Sequence, residues 1–225
     1  MLRYWRELWM VGVRSAWANR LPMVVLWVCA IALSVSYLYV PDVATCLEPI
    51  RRWQVACGWS AAALSAAFFC GIVPGIFQIA VRSLRPPRPF CVIAAQVAVS
   101  AVNGILCWNF YKLQALWFGT DVSVGTLAVK TAVDQFVWTP LAIAPLNAVC
   151  YFVIARDFSR ERVRREWPSS FFFGVLLPYL VPMWCVNVIP NFALYAFPPA
   201  LQTQLIGLLC SFWTLMCFQV ALRSR

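Results

Sequence analysis

Six apolar runs succeed one another along the chain, at about 22–40, 53–81, 90–111, 125–154, 170–190 and 198–221. Each matches or exceeds, or nearly so, the roughly 20 residues that an α-helix needs to cross a bilayer. The run 53–81 contains "GIVPG" at Gly71–Gly75, which predicts a kink or an early stop. The run 170–190 carries Pro178, Pro182 and Pro190, which predicts a broken or re-entrant segment. Ahead of the runs, Arg3, Arg6, Arg14 and Arg20 alternate with Trp5, Trp9 and Trp17. That pattern predicts an amphipathic helix at 1–21 lying in the membrane interface and staying with the mature chain. The expected architecture is all-α: this interfacial helix, then a single transmembrane bundle over 22–225 with about six membrane helices, four to six of them true spans.

Composition agrees. The chain is 63% hydrophobic and only 12% charged, about half the charge of a typical soluble domain. No charged residue occurs from Pro168 to Leu222, and such a stretch cannot face water. The net charge of +10 sits between the apolar runs, which assigns it to lipid headgroups and one aqueous compartment and excludes nucleic acid as the partner. With six crossings, the segments on one side hold fourteen arginines, against Arg51, Arg52 and Lys112 on the other. That asymmetry predicts both termini in the same compartment.

The ten cysteines show no paired ligand spacing, and histidine is absent. Neither a metal nor another cofactor is expected. A histidine base, paired carboxylates, a phosphate-cradling loop and a nucleophile elbow are all missing, so no enzyme activity is expected.

Lys130 and Asp134 stand four residues apart inside an apolar run, with Gln135 beside them. Helical spacing puts the two charges on one face. They read either as an ion pair within the helix or as the lining of a pore or cavity. Scattered Gln78, Gln96, Asn103, Asn109, Asn147 and Asn187 are expected to bond neighbouring helices. The small-residue run Ser60–Gly71 is expected to admit a second helix closely. Arg156, Arg160, Arg162, Arg164 and Arg165 form the densest charge cluster. They read as a solvated loop or as a headgroup site for an anionic phospholipid such as cardiolipin.

The set Lys130, Asp134, Gln135 and Pro140 resembles a motif of the Mpv-seventeen and peroxisomal membrane protein family. Gly104 with Phe110, Tyr111 and Lys112, then Trp167 and Pro168, then Trp184 with Asn191 and Phe192, then Trp213 follow in that family's order. Trp17 and Pro22 fit its N-terminal side. Cys185, Val188 and Gln202 depart from its polar signature positions, and "IALSVSYL" replaces the Gly-Asp of its first span. The resemblance implies four spans, a mitochondrial inner or peroxisomal membrane, and the channel activity proposed for the family. Because the departures fall on pore-type polar positions, the preferred expectation is a non-catalytic, lipid-holding accessory subunit of a larger mitochondrial inner-membrane complex of respiratory-chain type. A small-solute channel is the alternative.

Overall fold

The computed structural model describes residue 17 and residues 20–80 and 86–223; most of the segment 1–21 and the side chain of Trp213 lie outside the described residues. The described chain is helical, with no strand among the described residues. In order the helices are α1 (Arg20–Tyr39), α2 (Pro41–Cys57), α3 (Trp59–Ala80), α4 (Pro89–Phe118), α5 (Val124–Ala155), α6 (Arg160–Glu166), α7 (172–194) and α8 (Pro199–Arg223).

Three helices, α3, α4 and α5, are long and apolar enough to cross a membrane, and the count rises to four if α1 and α2 form one bent span. This is fewer than the six runs suggest. In α7 the apolar stretch is Tyr179–Leu194, about 24 Å at 1.5 Å per residue, shorter than the hydrocarbon core. Between α1 and α2 the axis turns by 102°. Val40 is extended there and Pro41 opens α2, a position where its missing N–H costs nothing. The run 53–81 is also split: α2 ends at Cys57, and Gly58 takes φ +52, a conformation open to glycine.

Pairs of touching residues give the helix directions. Trp27 meets Val186 and Ser34 meets Ala193, so α1 and α7 run parallel. Ser65 meets Gln204 and Cys70 meets Gly207, so α3 and α8 run parallel. Asn103 with Asn147 and Gln114 with Lys130 make α4 and α5 antiparallel. Asp134 with Asn191 and Gln135 with Trp184 make α5 and α7 antiparallel.

The closest packing is between α3 and α4, as the small-residue run predicts. A Cβ on Gly104 would collide with the Ala62 carbonyl, and one on Gly71 would lie 2.7 Å from the Cα of Val97. Gly75 meets Ile93 in the same way. The contact positions on α3 are therefore 62, 66, 71 and 75. The single step of five falls where α3 widens into a π turn, Ala67–Ile72. The wider turn holds the stripe in register, so "GIVPG" produces a π turn inside a continuous helix and no stop.

Two more π segments exist, Asp134–Ile143 in α5 and Phe172–Leu176 in α7, the latter two residues before Pro178. The 170–190 segment is thus a continuous helix from 172, with the irregularity absorbed at its start. Proline explains the winding. It lacks the N–H and crowds the preceding turn, and a wider register relieves the clash. It also strands a carbonyl. Ala144 N–H bonds the Thr139 carbonyl five residues back, so in this register Pro140 leaves the Gln135 carbonyl without its helical donor. The indole of Trp184 on α7 donates to it at 2.8 Å. Val73 bonds Phe68, so Pro74 likewise strands the Phe69 carbonyl, and the Ser211 hydroxyl on α8 donates there, with its own helix's Gly207 carbonyl at 3.1 Å as competitor. In regular α-helix Pro190 strands Val186, whose carbonyl accepts the Trp27 indole at 2.7 Å.

Replacing Trp184 by phenylalanine should cost about 1–3 kcal/mol, the penalty of leaving a buried acceptor unmet. In a Pro140→Ala background, which restores a backbone N–H, the cost should fall to about half or less. Unfolding of the four proteins in mild detergent measures this, and equal losses in both backgrounds would refute the account.

Candidate functional site

The ion pair between Lys130 and Asp134 does not form. Both side chains are buried, but they leave the helix toward different partners. Lys130 Nζ donates to the Gly119 carbonyl at 2.5 Å, capping the C-terminal end of α4, where a cation is favoured by the helix dipole. Its electrostatic partner is Asp121, in the loop before α5. The Ser123 and Thr126 hydroxyls hold the Asp121 carboxyl below the usual carboxylate range while Ser123 caps α5.

Asp134 stands at the first residue of the π segment and turns to α7. Its carboxylate accepts from Tyr195 Oη at 2.8 Å, Thr139 Oγ1 at 3.1 Å and, more weakly, Asn191 Nδ2 at 3.4 Å. All three donors are neutral, and among the described residues Asp134 has no ion pair. The Tyr195 ring meets Tyr111 of α4 edge-on at 5.8 Å. Gln135 is fully buried, and its side-chain oxygen and nitrogen have no hydrogen-bond partner among the described residues. Thus Asp134, Gln135, Pro140, Trp184 and Asn191 do converge, at the contact of α5 with α7. Phe192 packs into the adjacent cluster with Tyr111, Leu127 and Tyr195.

A second feature appears only when six residues of α4 are considered together. Gln96, Ser100, Asn103, Cys107, Tyr111 and Gln114 recur at steps of three and four on α4, so they form one face. The stripe runs about 27 Å at 1.5 Å per residue, close to the thickness of a bilayer core. It points into the bundle, with Gln96, Ser100, Tyr111 and Gln114 buried, while Val102, Leu113, Leu116 and Trp117 face outward. The signal was legible: a helical period of polar residues within an apolar run.

Midway along the stripe lies a cavity bounded by α3, α4, α5, α7 and α8. Asn103 donates through Nδ2 to Asn147 Oδ1 across it at 2.9 Å. Cys107 also lines it and stands one turn from Tyr111 on the same face of α4, and the Tyr111 ring meets Tyr195 of the Asp134 cluster.

At the far end the arginines divide. Arg156 lies over the Phe152 ring, 3.4 Å from its centroid, and pairs with Glu166 at 3.2 Å. Arg162 pairs with Asp157 at 2.9 Å, and Arg165 with Glu166 at 3.7 Å. Arg160 and Arg164 are exposed and enter none of these pairs. Trp167 stacks with Phe171 and meets Phe152 edge-on. Pro168 lies so close to Gly174 that a side chain there would collide with it.

The chain matches no known family model, no curated protein and no solved structure. The site must therefore be judged by its chemistry. It offers hydrogen-bond donors and acceptors inside an apolar shell, and among the described residues no group of three or more metal-ligating side chains.

Because Lys130 and Asp134 hold separate partners, the costs of Lys130→Gln and Asp134→Asn should add to within about 0.5 kcal/mol in the double variant. Unfolding in detergent checks this. Rescue of either variant by the other would restore the ion pair.

Proposed function

We propose that the chain is a divergent member of the Mpv-seventeen and peroxisomal membrane protein family, with six membrane-embedded helices (α1, α3, α4, α5, α7 and α8) and an interior that carries a small solute. The observation behind this reading is the polar stripe of α4, which opens onto a cavity at its middle. Polar side chains inside a membrane bundle are costly and mark solute paths. An accessory subunit is favoured by the loss of signature polar residues such as those replaced by Cys185 and Val188. Gln96, Ser100, Asn103 and Gln114 supply polar groups from another helix, so that loss no longer counts against a solute path. The role is non-catalytic, and the membrane is taken from the resemblance, mitochondrial inner before peroxisomal.

Alternating helix directions and the arginine asymmetry support both termini on one side. Tags at the two ends should be equally accessible to protease in sealed organelles; protection of only one would overturn the six-helix topology. For the solute path, the purified full chain in vesicles should speed the osmotic swelling caused by small polyols several-fold over empty vesicles. Identical rates would remove the reading.

The accessory-subunit reading keeps one observation in its favour. Arg160 and Arg164 are exposed and enter no ion pair among the described residues, which suits them to anionic headgroups such as those of cardiolipin at a subunit seam. In that case the protein should migrate with a complex far larger than 25.5 kDa in gentle detergent. Migration as a monomer under conditions that keep known complexes intact would remove it.

A further inference from the structure

We infer that the central cavity is a binding compartment for one small uncharged molecule that carries hydroxyl or amide N–H donors, such as a polyol. This rests on the solute-path reading and narrows it to a substrate class.

Among the described residues, no Asp, Glu, Lys or Arg bounds the cavity. An ion entering it would lose its water without meeting a counter-charge, whereas a neutral molecule loses only hydrogen bonds, part of which Ser100, Asn103 and Thr203 can replace in a lining that is otherwise mostly apolar. Of the described charges, Lys130 caps α4, and Arg156 is committed to Glu166.

Two amides at the cavity are fixed in orientation. Asn147 Nδ2 donates to the Ile143 carbonyl at 2.8 Å, which leaves its Oδ1 as the acceptor. Asn103 must then offer its Nδ2 to that oxygen. The Asn103 Oδ1 is left buried and without a donor at the middle of the 30-residue α4. An unmet acceptor in a bilayer calls for a donor, and an O–H or N–H on the solute supplies one. The Ser100 and Thr203 hydroxyls line the same space, and Thr203 already donates to the Pro199 carbonyl at 3.2 Å, so toward a solute its oxygen acts as an acceptor.

Aromatic pairs flank the space. Tyr151 and Tyr179 both line the cavity and stack at 6.4 Å with 21° between rings, forming one end. One turn beyond Cys107 on the other side stands the edge-on pair of Tyr111 and Tyr195. The compartment therefore sits between two aromatic pairs, and the solute occupies it in a step of its own.

The test uses the full chain in sealed vesicles and compares swelling in erythritol with swelling in erythronate, the same four-carbon polyol bearing a carboxylate. Erythritol should enter at least tenfold faster than erythronate. A double variant, Asn103→Leu with Asn147→Leu, exchanges the amide pair for a matched apolar pair. It should lose at least tenfold of the erythritol rate while keeping its thermal melt and its incorporation into vesicles. Equal rates for the two solutes in the natural protein would overturn the neutral-solute assignment and leave the solute path standing. This arm needs no variant to fold. A folded double variant with an unchanged erythritol rate would overturn the role of the amide pair. Transport of neither solute would remove the path, and this inference with it.

Discussion

A proline in a membrane helix strands a carbonyl that no water can reach, and much of this bundle is arranged to serve such carbonyls. Pro74, Pro140 and Pro190 each leave one bare, on Phe69, Gln135 and Val186. Ser211, Trp184 and Trp27 fill them from three other helices. A donor set one turn away would leave the carbonyl unmet, at about 1–3 kcal/mol each. The same bonds that repair the helices therefore tie α3 to α8, α5 to α7 and α7 to α1. Helix irregularity and interhelical register become one constraint.

With those ties in place, α4 has little freedom. One edge of it carries Ile93, Val97 and Gly104, which seat on the small residues of α3. Beside that edge runs the stripe from Gln96 to Gln114, which must then face α5, α7 and α8. The polar interior follows from the tight apolar contact, because no other face of α4 is turned inward. Its outer face, with Val102, Leu116 and Trp117, is suited to lipid.

Asp134 illustrates how tertiary partners outcompete local ones. Spacing of four residues brings two side chains together only while the helix stays regular and nothing better is in reach. Here π winding begins at Asp134, and the Tyr195 hydroxyl waits on α7. Lys130 finds the end of α4, where its charge meets a carbonyl and the negative end of a helix dipole. Each charge is better served by a separate neutral or dipolar partner than by the other.

From residues alone, the all-helical class with apolar membrane-type helices and the inner position of the small-residue run were legible. Hydropathy, side-chain size and motif order are local properties, and they report on solvent and on helix faces. The number of long spans was not legible, because the 102° turn at Pro41 and the short apolar length of α7 depend on how neighbouring helices are placed. The partners of Lys130 and Asp134, the donors to the proline-stranded carbonyls and the cavity between five helices join residues 11 to 159 positions apart. Only the tertiary structure decides such contacts, since an orphaned carbonyl states the need for a donor but not which helix will bring it.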